Sequence, residues 1–358
     1  MAQLDAPIFA ERVEVLRAAP LRPEASYVLY WMTAYRRRPY NHALQRAVTW
    51  ARELNKPLLI LEALRLGYPW ASERLHRFII EGMAANERVF ASAPVTYYPY
   101  LERSRGDGPG LLSALADEAC VVVGDEYPCF FLPQMQRAAA ARLEVRFEII
   151  DGNGALPLRV APKVFARAVD LRRFLQRTLP ERLLPFPQRD ALAKVSLPKL
   201  GALPRQVTQR WPAASAEELE EPRLESLALD HGVGAVSGSV GGHEEARQRL
   251  EAFLDHGLPR YGERNQPEVP ASSGLSPYLH FGHIGVHEVL DALFEVEEWS
   301  FDRIAAGASM ARGQREGYWG LSPAAEGFID ELLTWRELGF NFCHHRPDDY
   351  HRYDSLPS

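Results

Sequence analysis

Three hydroxyls and a glycine fall within five residues at Ser272-Ser273-Gly274-Leu275-Ser276, and Pro277-Tyr278-Leu279-His280-Phe281-Gly282 follow. The run reads as a helix start. Ser276 is suited to the N-cap, and Pro277 sits where a missing N–H costs nothing. Apolar residues at helical spacing then continue through Ile284, Val286, Val289 and Leu290. Ser272, Ser273 and the backbone N–H groups around Gly274 are donors at the positive end of a helix dipole, which is a site for a phosphate or pyrophosphate. An ordinary capped helix accounts for the same residues. A second stretch, 328–342, places Glu331 and Trp335 four residues apart and so on one helical face. A carboxylate beside an indole suits a flat heterocycle that has N–H donors and a stackable ring. Arg336, at the edge of that face, could meet a phosphate. A helix with a core tryptophan and surface ion pairs is the plainer alternative. His280, His283 and His287 recur at helical spacing, but no carboxylate or cysteine accompanies them at ligand spacing. Structural or surface roles are expected for them, with no metal site.

The elements that must position these residues fall into two units. The chain has 358 residues, 46% of them hydrophobic, which is enough for two domains and a sizeable core. The net charge of −6 excludes a generic nucleic-acid coat, so any DNA contact must rest on a local basic face. No apolar run reaches the length of a membrane span, and the N-terminal residues lack the pattern of an export signal. Cys120, Cys129 and Cys343 are few and scattered. They fit a reducing cytoplasm and argue against a disulfide framework or a cysteine-built zinc site.

Residues 1–185 read as an α/β unit. Apolar runs at 27–31, 57–61, 95–98, 120–123 and 145–150 are five strands, and helix-period stretches at 41–54, 73–90, 111–118 and 132–143 separate them. The alternation implies a five-stranded parallel, Rossmann-like sheet with helices on both faces. Its ligand is expected at the carboxyl ends of the strands, although no G-x-G-x-x-G follows the first strand. Arg36-Arg37-Arg38 could meet an anion there or lie in a solvated loop. Gly106-Asp107-Gly108-Pro109-Gly110 reads as a turn before a helix. The basic helix expected at 163–179 either keeps its surface solvated or lies against a phosphate backbone. Residues 186–240, punctuated by prolines and then glycines, read as a connector wrapped over the surface. Residues 241–358 read as all-α.

These pieces together resemble the photolyase/cryptochrome family, and most closely the class II cyclobutane-pyrimidine-dimer photolyases. The resemblance rests on Val28-Leu29-Tyr30-Trp31-Met32, on Tyr261 with Arg264-Asn265, on Ser272 through Gly282, and on Glu331 through Cys343. The turn Asp151-Gly152-Asn153-Gly154 is similar to the family's exit from its α/β domain. The resemblance implies an FAD-dependent, cytoplasmic and monomeric enzyme, nucleoid-associated in a prokaryote, that splits cyclobutane dimers in UV-damaged DNA by light-driven electron transfer. Tyr261, Ser272, Ser273, Gly274, Leu275 and Ser276 would hold the flavin's phosphates and ribitol. Glu331 would hydrogen-bond the dimer, Trp335 would line its pocket, and Arg264 and Arg336 would approach DNA phosphates. An antenna chromophore, a deazaflavin or a folate, is a family expectation for residues 1–185. Tyr261 and Arg264 stand one residue closer together than in many relatives. Family members continue beyond the Glu331 helix with further helices, so the resemblance also implies either a piece of a longer protein or a short form with half of the flavin cradle. A cryptochrome-like photoreceptor without repair activity and a non-flavin module binding a nucleotide or protein are the competing readings.

Overall fold

The computed structural model describes residues 8–308 and 311–355. Six strands form one sheet: β1 (Val13–Arg17), β2 (Tyr27–Met32), β3 (Leu58–Leu64), β4 (Thr96–Leu101), β5 (Ala119–Glu126) and β6 (Phe147–Asp151), in the order β1-β6-β5-β2-β3-β4. All five expected strands are present and mutually parallel. The expectation of a five-stranded, wholly parallel sheet is corrected by β1, which pairs antiparallel with β6 at the edge. That strand is only half-buried, so it lacks the unbroken apolar run of a central strand. β2 shows the opposite case, with all six residues buried. Val28, Tyr30 and Met32 pack on one face with the helix His42–Leu54, while Tyr27, Leu29 and Trp31 pack on the other with the helix Leu111–Ala116. This is the two-residue alternation of a strand covered on both sides.

The strand order reverses between β2 and β5, which places a crevice at their carboxyl ends. Asp125, at the end of β5, fixes the chain leaving β2. It accepts the backbone N–H groups of Thr33, Ala34 and Tyr35 at 2.7–2.8 Å and the Tyr30 hydroxyl at 2.6 Å. The backbone donors at this crevice are therefore already occupied by a protein carboxylate.

The connector carries more structure than its prolines and glycines imply. Short helices form at Arg205–Arg210 and Ala216–Glu220, the second closed by a reciprocal Ser215–Glu218 capping box. Trp211 packs into one sheet face, and Leu219 and Leu224 pack on the helix Glu73–Ala91. Beyond it the chain is helical and encloses a separate buried apolar cluster that includes Leu250, Phe253, Tyr261, Leu275, Leu290 and Phe328. Contacts between the two halves are close. Gly282 lies so near the chain after β2 that a Cβ there would meet the Ala34 carbonyl oxygen at 1.7 Å, and the Arg37 guanidinium donates to the Gly282 carbonyl at 3.0 Å. No helix among the described residues is long and apolar enough to cross a membrane.

Candidate functional site

Ser322 starts the helix that carries Glu331: its hydroxyl accepts the Ala325 N–H at 3.3 Å, and Pro323 occupies the first turn. The helix runs Pro323–Ile329, widens into a π-helical stretch at Asp330–Trp335, and resumes as Arg336–His345. Such widenings recur at functional sites because they add a residue without ending the helix. Here Asp330 turns inward to a two-pronged pair with Arg172 at 2.6 and 2.9 Å, and Leu332, Leu333 and Thr334 are buried. Glu331 stays half-exposed and Trp335 is 52% exposed, so both members of the expected pair are open to solvent.

Arg264 joins this pair. Its Nη2 donates to Glu331 Oε1 at 3.0 Å, and its guanidinium lies 4.7 Å over the Tyr261 ring. Tyr261 comes from a tight turn, Leu258–Glu263, entered through a second π-helical stretch, Phe253–Gly257. Its ring packs between Phe253 and Phe328, with centroids 5.8 and 5.4 Å away. Burial raises the phenol's pKa, so it stays protonated. The phenol hydroxyl makes no hydrogen bond among the described residues, which leaves a donor available.

The serine loop differs from expectation in two ways. Leu275, buried and already in helical conformation, occupies the cap position, and Ser276 is the first helical residue with no capping bond. The helix also stops at Phe281, because Gly282 is left-handed (φ 75°). Ile284 and the later apolar residues therefore belong to a turn and to a second helix, Val286–Val296. Six residues make a weak dipole, so any anion affinity rests on hydroxyl and backbone donors. Ser273 Oγ accepts the Leu275 N–H at 3.4 Å. Ser272, Gly274 and Ser276 are exposed, and the Ser272 and Ser276 hydroxyls have no partner among the described residues. Gly274 is left-handed (φ 65°), and the only group near a Cβ there is the Arg249 guanidinium at 3.9 Å. This donor set fits a phosphate-bearing cofactor. Leu275 and Tyr261 share one apolar cluster with Phe328, but no hydrogen bond, ion pair or ring contact among the described residues joins the serine loop to Glu331 or Trp335.

Arg336 points elsewhere. Its Nη1 donates to the Asn153 carbonyl, and its guanidinium stacks 4.5 Å over Phe340. The next residue, Glu337, accepts the Ala155 N–H at 2.7 Å. Both side chains clamp the 151–155 turn of the α/β unit, so the expected reach of Arg336 toward a DNA phosphate is corrected to an internal contact. The three histidines also separate, because Gly282 breaks the helix between them. His280 lies exposed against Phe130, at 5.6 Å. His283 is buried and accepts the Gly242 N–H at 3.0 Å, and His287 is buried edge-on to His42 at 5.0 Å. No three His, Cys, Asp or Glu side chains among the described residues gather as a metal site.

A further feature lies in the α/β half. A cavity of about 960 Å³ opens at the carboxyl ends of β2, β3 and β4, walled by Trp31, Tyr68, Trp70, Tyr100 and Tyr127, with Arg36, Arg65 and Arg105 among its charged residues. Its volume is at the upper end for a small-molecule site. His280 and Phe281 reach into it from the helical half. The switch-point rule located this crevice, but the aromatic lining was not legible. Trp31 read as a strand residue, and Tyr68, Trp70, Tyr100 and Tyr127 stood in unassigned stretches. Arg36, for which an anion contact or a solvated loop was open, and the 106–110 turn both line it.

No family model matches this chain. It is 28% identical over 98% of its length to a deoxyribodipyrimidine photo-lyase of Methanothermobacter thermautotrophicus, of which it covers 68%. It is 27% identical over 96% of its length to the enzyme of that name from Arabidopsis thaliana, of which it covers 64%. The chain thus spans about two thirds of the length of these curated relatives. Among solved structures, a class III photolyase from Agrobacterium tumefaciens superposes with a TM-score of 0.61 at 18% identity, over 92% of this chain and 61% of that one. A Synechocystis cryptochrome superposes with a TM-score of 0.60 at 14% identity, over 89% and 62%. At those identities the structural likeness concerns the fold.

Proposed function

Since this chain belongs to the photolyase/cryptochrome family, we propose that it takes part in light-driven repair of cyclobutane pyrimidine dimers in UV-damaged DNA, with FAD as the cofactor. The observation that carries the reading is that Glu331 and Trp335 are both open to solvent while the three residues between them are buried. The names of the curated relatives support the same activity. Reduced FAD, when bound, supplies the light-driven electron that opens the cyclobutane ring and takes it back afterwards.

The chain's own residues bind and orient. Glu331 is held by Arg264 with its second carboxylate oxygen free of any described partner, so it can accept an N–H from a pyrimidine taken out of the stack. Trp335 offers an open indole face against the base. A dimer is already poorly stacked, so extruding it costs less than extruding an intact pair. Arg264 supplies positive charge at the rim, where a backbone phosphate would pass. Ser272, Ser273, Ser276 and the backbone at Gly274 and Leu275 would hold the cofactor's phosphates, and Tyr261 would add its phenol. Arg336 is left out of the DNA-facing set. The likeness to class II enzymes in 336–343 belongs to this proposal, as do a monomeric state and a cytoplasmic location. The aromatic cavity at the sheet's carboxyl edge, with Arg36, Arg65, Arg105 and Arg142 against the single acid Glu102 at its wall, suits a planar anionic antenna such as a deazaflavin or a folate.

The test is purification of the chain in the dark and measurement of its absorption spectrum, followed by visible-light repair of UV-irradiated oligothymidylate. A flavin spectrum and light-dependent loss of dimers are expected. Glu331→Ala should retain flavin and lose repair by roughly tenfold or more, the value of one hydrogen bond to a charged group. A colourless preparation, or undiminished repair in Glu331→Ala, overturns the reading.

A further inference from the structure

We propose that Cys129 and Cys343 form a reversible, peroxide-responsive disulfide that fastens the cavity-side loop of the α/β unit to the helix Arg336–His345. Neither residue belongs to the repair site proposed above, and the proposal stands without it. Cys129 follows β5 and is buried among residues of one sheet face, and the partly buried Cys343 packs against that same cluster. Each thiol shifts the pKa of the other, as only near neighbours do. Contacts on both sides lock the arrangement. Two residues before Cys129, Tyr127 meets Phe340 edge-on at 5.5 Å. One residue after it, the Phe130 N–H donates to the Tyr350 hydroxyl at 2.6 Å. The loop is thus held against the Phe340–Tyr350 segment on both sides of the pair, which keeps the two thiols near one another.

The chemistry assigns different roles to the two sulfurs. The Cys129 thiol beside it lowers the pKa of Cys343, and the Cys343 neighbour together with burial raises that of Cys129. Cys343 is also the more exposed of the two, so it is the sulfur that a peroxide meets first. Its thiolate attacks a hydrogen peroxide oxygen, the O–O bond breaks, and a sulfenic acid forms as hydroxide leaves. The Cys129 sulfur, giving up its proton, then attacks the Cys343 sulfur, and the departing hydroxide takes that proton to become water. Two thiols are oxidised to one disulfide while one peroxide is reduced to two waters. A thiol such as glutathione or dithiothreitol reverses the bond by exchange. In a reducing compartment the pair rests as two thiols, which is compatible with the sparse cysteine content. Oxidation would tie Tyr127 and Phe130, which line the large cavity, to the helix that continues from Glu331 and Trp335.

The experiment treats the purified full chain with hydrogen peroxide in modest excess and maps its peptides without reduction. The expected result is a monomeric chain lighter by two hydrogens, with a Cys129–Cys343 linkage that dithiothreitol reverses and that raises the melting temperature. Cys120 should remain a free thiol. Cys129→Ser should trap Cys343 as a sulfenic acid that dimedone captures, and Cys120→Ser should leave the linkage unchanged. On the untreated chain, iodoacetamide should label Cys343 ahead of Cys120 and Cys129. Oxidation of Cys343 to sulfinic acid without a linkage, disulfide-linked dimers in its place, or labelling of Cys120 first overturns the proposal.

Discussion

Arg12 is among the most consequential side chains of the α/β unit, and nothing in its sequence setting marks it. It is 1% exposed, and it donates to the carbonyls of Asp151, Gly154 and Ala155 at 3.1, 3.2 and 2.7 Å. The Asp151 carboxylate lies 3.9 Å away. One guanidinium therefore organises the same turn that Arg336 and Glu337 grip from the other side. Removing it strands buried acceptors, so Arg12→Met should cost about 3–5 kcal/mol in urea unfolding, and Arg12→Lys should recover little because an ammonium cannot span three carbonyls in fixed directions. A loss below about 1 kcal/mol would mean that water replaces the guanidinium. Glu331 and Trp335 were legible because their spacing alone puts them on one face. Arg12 was not, because its partners lie far along the chain and are backbone atoms, which carry no residue-type signal. Arg336 shows the converse: its charge was visible, and its direction was decided by a turn in the other half.

Strands and long helices of the α/β unit were readable because burial on both faces demands uninterrupted apolar runs. The helical half was readable only in part, and Gly282 shows why. Apolar spacing runs on past it, from Leu279 to Ile284 and Val286, so periodicity alone extends the helix. What stops it is the approach of the Ala34 carbonyl, which leaves no space for a side chain and selects a left-handed glycine. Gly282→Ala therefore meets two penalties, about 1–2 kcal/mol for the left-handed backbone and about 1–3 kcal/mol for overpacking against a main-chain oxygen. Gly274 has the same handedness but open space around it, so Gly274→Ala should lose only the first. Thermal melts of the two variants should separate by several degrees, with Gly282→Ala lower and more readily cleaved by trypsin between the halves. Equal melting temperatures would show that the seam between the halves yields easily.

At the scale of the whole molecule, that seam makes stability depend on pH in a direction that can be worked out. His42 and His287 meet edge-on across it, and His283 is buried beside Gly242. Burial holds all three neutral, with neighbouring Arg12 and Arg37 adding to the effect at His42 and His287; His283 is pushed down to about 3. An unfolded histidine titrates near 6.5. Below that pH the unfolded chain takes up protons that the folded chain refuses, so each of these histidines removes about 1.4 kcal/mol of stability per pH unit. Two buried carboxyls act in the opposite sense. Burial raises Glu337 to about 7 and Glu126 to about 8, so above the ordinary carboxyl range the folded chain keeps protons that the unfolded chain releases. Their contribution shrinks as pH rises from about 4.5 to their folded values. Above 6.5 the histidines no longer contribute, and the raised carboxyls should make stability fall toward pH 8. From 6.5 down to about 4.5 the buried histidines, joined by His76, His280 and His344, which burial also holds low, oppose the raised carboxyls, and stability should fall gently. Below about 4.5 these carboxyls no longer oppose the histidines and the fall should steepen. Urea unfolding from pH 8 to pH 4 should thus give a maximum near 6.5, and His287→Phe, whose ring would lie among Phe186, Phe294 and His42, should flatten the acid side. Stability that keeps rising from 6.5 to 8 would mean that Glu337 and Glu126 are ionised in the folded chain and that the seam is wetter than its packing implies.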